Sequence, residues 1–578
     1  MKRFFVVALV VSALLYLTAE STLDRPPDDG VVRIRWATDP NPARNLQVEI
    51  FGKLQVLLKP ADVTDWAALL GPLRSGRGPV AARLRESLDA NAVASALPGE
   101  AGARAGMLKA INELLSRREA FGGAELAGLD LSYDARLLLA KGPGELTNVE
   151  VAALNRRILE AAFPGAIRPA RRIEASVESG AREKLVVQCA TGTGPDVIDV
   201  YGMAHMNTLV EAGILVDVTP YAAKMGFGPE NTYPAIRGNL MIDGRQYRFP
   251  CNVWANCVIY NREIFDDHGL AHPKPGWTYD DFLRIGKRIV GSPGTSGRRH
   301  LAVANFSPVW MYNDLLIGLG GRYFTPDGLL SRLDSAAAVG AMQRYHDLMH
   351  VHKVIPTPAE ASAMSSQGGW GSGAINWFSN GQAAMILIGR WYLCQLPNYP
   401  ALRGKLSVVR LPRLAGRPSA GVCDTRAGGV NITSPNRQAA LKFLQYLATP
   451  EYGQVIVNDG DALPPNPNLA RTGRDLVNAV APEPAFHQPF VDALGPARPL
   501  DFSPFIDAGQ VERWVSEMIS KVENRLISSP EAMRALAAEI NQRVRRNLGR
   551  RPDLQRRFEK VTGRKWTAGW RHEDVARK

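Results

Sequence analysis

From Tyr247 to Ile289 the chain reads YRFPCNVWANCVIYNREIFDDHGLAHPKPGWTYDDFLRIGKRI. Its first half, Phe249 to Tyr260, is rich in aromatic and β-branched residues and reads as a strand. Its second part, Tyr279 to Val290, has apolar residues at helical spacing, with Thr278 placed to cap it. A strand that feeds a helix is the repeating unit of an α/β sheet, so this stretch sets the expected architecture. Cys251 and Cys257 lie too far apart along an extended strand to bridge and read as small buried residues. The five cysteines of the chain have neither disulfide-framework nor zinc spacing.

The same alternation continues on both sides. Val31 to Ala37 alternates apolar and polar like a strand and breaks at Asp39-Pro40-Asn41-Pro42, a polar loop of the kind that carries binding groups. Met107, Leu108, Ile111, Leu114 and Leu115 have helical spacing, and Thr147 with Glu150 forms a capping box ahead of a further helix. The glycines of Gly192-Thr193-Gly194-Pro195-Asp196 follow a helical segment and precede the strand Val197 to Val200. A phosphate cradle needs the reverse order. Ala336 to His350 and Asn436 to Ala448 read as helices, and Ser529-Pro530-Glu531 opens another.

A chain of 578 residues is several times the usual domain size, so two or more lobes are expected. With 46% hydrophobic and 22% charged residues it is a folded globular protein, neither disordered nor collagenous nor multi-spanning. The formal charge of +13 would suggest nucleic acid as a partner if it were evenly spread. It is not: Gln542 to Lys578 holds thirteen Lys and Arg against four Asp and Glu, so most of the excess belongs to a C-terminal tail that could touch anionic lipid, a partner or nothing, and is read first as a solvated extension. Lys2 and Arg3 precede an apolar stretch from Phe4 to Leu17, which fits an export signal or an uncleaved anchor. His346, His350 and His352 lack acidic or cysteine partners at ligand spacing and read as a helix end. Gly368-Gly369-Trp370-Gly371-Ser372-Gly373 reads as a loop, and no catalytic motif is present.

Several segments, in order, resemble the extracellular solute-binding proteins of ABC transporters for sugars, the maltose-binding-like group. They are WATDPNPAR from Trp36, KLVVQCATGTGPDVIDVYGMAHMNTLVEAGILVDVTPY from Lys184, the opening stretch with its Pro-Trp-Thr-capped helix, and WFSNGQAAMILIGRWYL from Trp377. LSVVRLPRLAG from Leu406 and AGGVNITSPNRQAALKFLQYLATPEYGQVIVN from Ala427 complete the set. The resemblance implies a two-lobed α/β periplasmic-binding-protein fold, class II-like, with crossing hinge strands. One departure is a large insertion after the first strand, at about 45–148. The implied division is 1–21 signal or anchor, 31–250 lobe 1, 251–427 lobe 2, 428–465 return to lobe 1, 466–548 C-terminal helices mainly of lobe 2, and 549–578 basic tail.

Carried onto this chain, the resemblance implies ligand contacts from Asp39, Asn41, Tyr201, Asn252, Trp254, Trp310, Tyr312, Arg390, Trp391, Asp424 and Arg426, with Gly428 and Gly429 at the hinge. Sugars stack their C–H faces on aromatic rings and bond their hydroxyls to aimed donors and acceptors, which these residue types supply. Arg390 and Arg426 could equally meet a phosphate or carboxylate substituent, and Asp424 with Arg426 could be a salt bridge. The expectation is an exported monomer, periplasmic or at the cell surface, that binds a carbohydrate and meets ABC permease subunits. It has no catalytic residues, metal or other cofactor, and no nucleic-acid partner; it touches the membrane through its N-terminal segment if that is uncleaved. A sensing or scaffolding protein on the same fold, or a carbohydrate-active enzyme, are the alternatives.

Overall fold

The computed structural model describes residues 31–570 except 40, 42, 89–100, 119, 142–143, 180–181, 291–300, 306 and 365–372. The apolar N-terminal segment, most of the glycine-rich stretch from Gly368 and the last eight residues of the basic tail therefore lie outside the described residues. The chain divides into two units, one comprising 45–176 with the residues before 35, the other 35–44 with 177–578.

The first unit is helical. It holds α1 (Ala43–Val56) from its third residue on, helices at Trp66–Ser75, Pro79–Ser87, Ala101–Leu115 and Tyr133–Ala140, and α2 (Asn148–Ala162). Leu69, Leu73, Leu84, Ile111, Ile158 and Leu159 are fully buried or nearly so in one apolar cluster. The capping box of α2 forms as expected: Thr147 Oγ1 accepts from the Glu150 amide at 3.2 Å and the Glu150 carboxylate accepts from the Thr147 amide at 2.9 Å. The inserted part does not end near Asn148, however. Val151, Leu154, Ile158 and Leu159 of α2 pack into the helical core, which carries the unit on to Ser176.

The strands are β1 (Val32–Thr38), β2 (Ile173–Ser179), β3 (Val197–Tyr201), β4 (Met241–Ile242), β5 (Arg245–Gln246), β6 (Phe249–Ala255), β7 (Cys257–Asn261), β8 (Leu301–Asn305), β9 (Ala383–Ile388), β10 (Leu406–Val409) and β11 (Cys423–Val430). Five form one sheet in the order β2-β1-β3-β11-β6, and four form another in the order β10-β7-β9-β8. The apolar run Phe249 to Tyr260 is thus not one strand. It supplies β6 to the first sheet and β7 to the second, and changes sheet at Asn256, while the chain crosses back between β10 and β11.

Helices cover both sheets. They include α3 (Gly202–Glu211), α4 (Tyr279–Val290), α5 (Pro308–Gly318), α6 (Ala336–His350), α7 (Arg437–Leu447), α8 (Ala508–Glu523), α9 (Ser529–Arg550) and α10 (Pro552–Thr562). On the first sheet, lobe 1, Ile198 and Val200 pack with Met206 and Leu209 of α3, while Trp36 meets Phe443 of α7 at 5.0 Å. On the second sheet, lobe 2, successive residues of β7 part to opposite faces. Val258 and Tyr260 join a cluster with α4, α5, α6, α8, α9 and α10; Cys257 and Ile259 join one with Ile375, Phe378, Phe486 and Phe490.

The basic tail is not a solvated extension as far as Trp570. Leu554 and Phe558 of α10 are buried in the lobe 2 core with Trp566 and Trp570 packed beside them, and Arg557 pairs with Asp243 in the β4–β5 turn. One turn of spacing puts both apolar side chains on the same helix face, so a strongly charged sequence still buries an edge. Phe558→Ala is expected to lower unfolding free energy by about 3–5 kcal/mol. Urea denaturation reads it, and an unchanged midpoint would place α10 off the core in solution.

Candidate functional site

Strand register gathers a buried charge cluster in lobe 1. Parallel pairing of β1 with β3 sets Trp36 opposite Val197 and Ala37 opposite Ile198, which brings Thr38 beside Asp199. Antiparallel β11 sets Arg426 opposite Tyr201 on one side and Asn252 on the other. Asp199 accepts from Trp36 Nε1 at 2.7 Å, from Arg426 Nη1 at 2.7 Å and from the Thr38 hydroxyl. Asp461 accepts from Arg44 Nη1 at 2.6 Å, from Asn252 Nδ2 at 3.0 Å and from Arg426 Nη2 at 3.4 Å. Asp39 accepts from Arg44 through Nε at 3.0 Å and Nη2 at 3.1 Å and from the Tyr201 hydroxyl at 3.2 Å.

Burial by itself would raise the Asp39 carboxyl, but Arg426 and Arg44 beside it hold it down at about 2. Burial likewise opposes charge on Arg426, yet Asp199 outweighs it and keeps the guanidinium firmly protonated. Asp39 and Arg426 therefore stay ionised throughout the ordinary pH range. Arg44, Asp199 and Asp461 were not singled out from the sequence. A carboxylate inside the apolar strand VIDVY was the available signal for Asp199, because a charge there needs a buried partner.

Beside the point where the chain changes sheet stand three tryptophans. Trp254 of β6 stacks on Trp310 of α5 with ring centroids 5.1 Å apart at 21°, and Trp310 meets Trp391 edge-on at 6.4 Å and 84°. Trp254 and Trp310 keep part of their surface exposed, while Trp391 is buried to 8%. Gly389 permits the group: a Cβ there would stand 2.7 Å from the Trp391 ring and 3.5 Å from Trp254. Asp424 of β11 lies opposite Trp254 in register, and its carboxylate approaches Gly202, which follows Tyr201 and has φ +69°. It accepts from Asn239 Nδ2 at 3.2 Å, and burial pushes its carboxyl up.

The tryptophan helix is pinned by a residue one turn along. Asp314 of α5, nearly inaccessible, accepts from Asn256 Nδ2 at 2.8 Å and from the Val422 amide at 2.9 Å. Asn256 and Val422 flank β7 and β11 where the chain passes between lobes, so one carboxylate ties Trp310 to both crossings.

Several expected ligand contacts face elsewhere. Arg390 points into the protein: Nε donates to His487 at 3.1 Å, and its other nitrogens donate to the carbonyls of Ala462, Val457 and Leu476. Tyr312, two residues from Trp310, lies on another helix face and is fully buried in the lobe 2 core. Asn41 is buried, and its Oδ1 accepts from the Ala43 amide at the start of α1, as a turn former does. Asp424 and Arg426 do not pair with each other; Arg426 is held by Asp199 and Asp461. Gly428 and Gly429 lie within β11 without unusual φ, and are small because Leu447, Val197 and Leu215 close on them. His350 is engaged by the Glu523 carbonyl at 2.8 Å and by Arg525, and among the described residues no group of His, Cys, Asp and Glu could hold a metal.

Two sheets joined by crossing strands, with aromatic side chains gathered at the crossing, define a two-lobed binding-protein fold. Residues 172–454 match the model of the bacterial extracellular solute-binding protein family. An arabinooligosaccharide-binding protein of Halalkalibacterium halodurans is 27% identical over 267 residues, 45% of this chain and 56% of its own length. The diacetylchitobiose binding protein DasA of Streptomyces coelicolor is 22% identical over 316 residues, 53% of this chain and 69% of its own. Among solved structures, the ABC substrate-binding protein Lmo0181 from Listeria monocytogenes with cycloalternan superposes with TM-score 0.54 at 21% identity, covering 64% of this chain and 91% of that one. Maltose-bound MalE3 of T. maritima gives 0.52 at 20%, covering 67% and 94%.

Burial pushes the Asp314 carboxyl from 3.8 up to about 7. The folded protein thus keeps a proton that the unfolded chain has released; the stability this gives is full below pH 3.8 and is lost as pH rises through about 7. Asp314→Asn removes that titration. Relative to wild type the variant should gain on the order of 4 kcal/mol between pH 4 and pH 7 and then level off. Urea denaturation at stepped pH reads it, and parallel curves would mean a solvated carboxyl.

Proposed function

We propose that the chain is an extracytoplasmic binding protein that takes an uncharged carbohydrate into the cleft between its two lobes and delivers it to an ABC permease. The observation that carries this reading is the cluster of Trp254, Trp310 and Trp391 where the chain crosses from one lobe to the other. Sugar C–H faces stack on indole rings, and partly exposed tryptophans at a crossing are the surface such stacking needs. Asp424 and Asp39, which keep some exposure, supply carboxylate acceptors for hydroxyls, with Tyr201 beside them.

An uncharged solute is favoured by how the two candidate arginines are used. Arg390 donates to backbone carbonyls and His487, and Arg426 to Asp199 and Asp461, so neither is left for a phosphate or carboxylate substituent. The saccharide-binding relatives support the same class. In this reading the protein performs no chemistry: solute binds the closed form through both lobes, and the permease recognises that form. Reversible delivery implies a Kd in the micromolar range, about −8 kcal/mol. The family match and the apolar stretch Phe4 to Leu17 behind Lys2 and Arg3 support export, to the periplasm or the cell surface, with the protein acting as a monomer.

A thermal-shift screen against neutral mono-, di- and oligosaccharides and their phosphorylated counterparts tests the class, because a ligand that binds only the folded form raises the melting point. Neutral sugars should give the hits; a response confined to the phosphorylated compounds would overturn the uncharged assignment. With the best hit, Trp310→Ala should weaken binding more than tenfold by calorimetry. Unchanged affinity would take the tryptophan cluster out of the site.

A further inference from the structure

The last two helices carry cations that the lobe 2 core does not explain. On α9 the buried residues Ile540, Val544 and Leu548 recur every four positions, and exposed Arg546 and Arg550 stand two residues beyond Val544 and Leu548, on the opposite side of the helix. On α10 exposed Arg556 and Lys560 stand in the same relation to buried Leu554 and Phe558. Arg545, Arg564 and Lys565 are exposed as well. Between Arg545 and Lys565 there are only two carboxylates. Asp553 is bonded by Arg551 at 2.8 Å, and Glu559 accepts from the Trp566 amide at 3.4 Å. Arg557 is occupied by Asp243. Among the described residues, none of the seven exposed cations has a carboxylate partner, so two packed helices present them outward unneutralised.

We propose that this surface docks the second unit on an anionic phospholipid bilayer. The cations are spread over two helices, and of the seven only Arg556 and Lys560 border the groove of about 730 Å³ that Met203, Glu211, Asp243 and Asp507 also line; the others stand clear of it, which suits headgroup phosphates that are mobile in the plane and need no fixed register. Trp566 and Trp570, the aromatic residues of the stretch besides Phe558, pack on the core and are not a platform for bases. The rigid seat supplied by Leu554 and Phe558 keeps the charged side turned out without ordering a free tail at the moment of contact. This inference does not depend on the identity of the solute.

The test is flotation of the full chain with vesicles of phosphatidylcholine alone and of phosphatidylcholine with phosphatidylglycerol, seven to three, in about 100 mM salt. The N-terminal segment, whose Lys2 and Arg3 also favour anionic vesicles, is common to the wild-type chain and its variants, so comparing those isolates the helical cations. Partitioning should be at least tenfold greater on the anionic vesicles and should be lost in roughly 500 mM salt. Combined Arg546→Gln, Arg550→Gln, Arg556→Gln and Lys560→Gln should cut it at least tenfold, since each cation near an anionic leaflet multiplies partitioning about fivefold. Equal partitioning on both vesicles, or an unaffected quadruple variant, would overturn the proposal. So would duplex DNA that strips the chain from the vesicles at equal phosphate, which would make the surface a general polyanion site. If the quadruple variant fails to fold, the salt series on the wild-type chain and the pair Arg556→Gln, Lys560→Gln decide.

Discussion

A buried guanidinium holds lobe 1 together. Arg426 sits on β11, an inner strand of a five-stranded sheet, over the Trp36 ring, with Asp199 and Asp461 on its nitrogens. Taking such a cation out of water is unfavourable by several kcal/mol unless its partners are well placed, and an unpartnered remainder is worse than no charge at all. The arrangement of everything around it follows. β1 must end where Thr38 and Trp36 reach Asp199, the turn at Asp461 must return to the sheet, and Arg44 must enter to share Asp39 and Asp461. The charges are fixed because they satisfy each other.

That arrangement bears on how much of the candidate site was legible in the sequence. Trp254, Trp310 and Trp391 lie in three separate segments of the chain, and the resemblance placed each at a ligand-facing position; in the structure their rings meet. Polar residues were harder to assign. Asp39, Tyr201, Asn252 and Arg426 do come together, but largely as partners of one another, a fact that depends on long-range register. Arg390 follows a strand in the expected place, yet its guanidinium turns inward to carbonyls that only the folded chain brings near.

Helix ends were the most legible feature. Tyr279–Val290 and Ala336–His350 begin and end where periodicity and capping residues put them, because caps are local chemistry. The run Phe249 to Tyr260 misled for a physical reason. Both halves are apolar and extended, and nothing within the run says that Asn256 hands the chain from one sheet to another; the cause is Asp314, 58 residues away. Charge counting misled in a similar way for the tail, where two apolar side chains a turn apart outweigh many solvated cations.

The helical unit leaves the second unit after Arg44 and returns at Val177, within β2, and β2 is the neighbour of β1 in the sheet. An excursion whose two ends are already held side by side adds little loop-closure entropy however long it grows, since that term rises only with the logarithm of length. A segment with its own apolar core, spliced in at such a place, is free to melt as a separate cooperative block while the sheet stays paired. Calorimetric unfolding can then show this block as a transition of its own, beside the one that a solute bound to the second unit would raise.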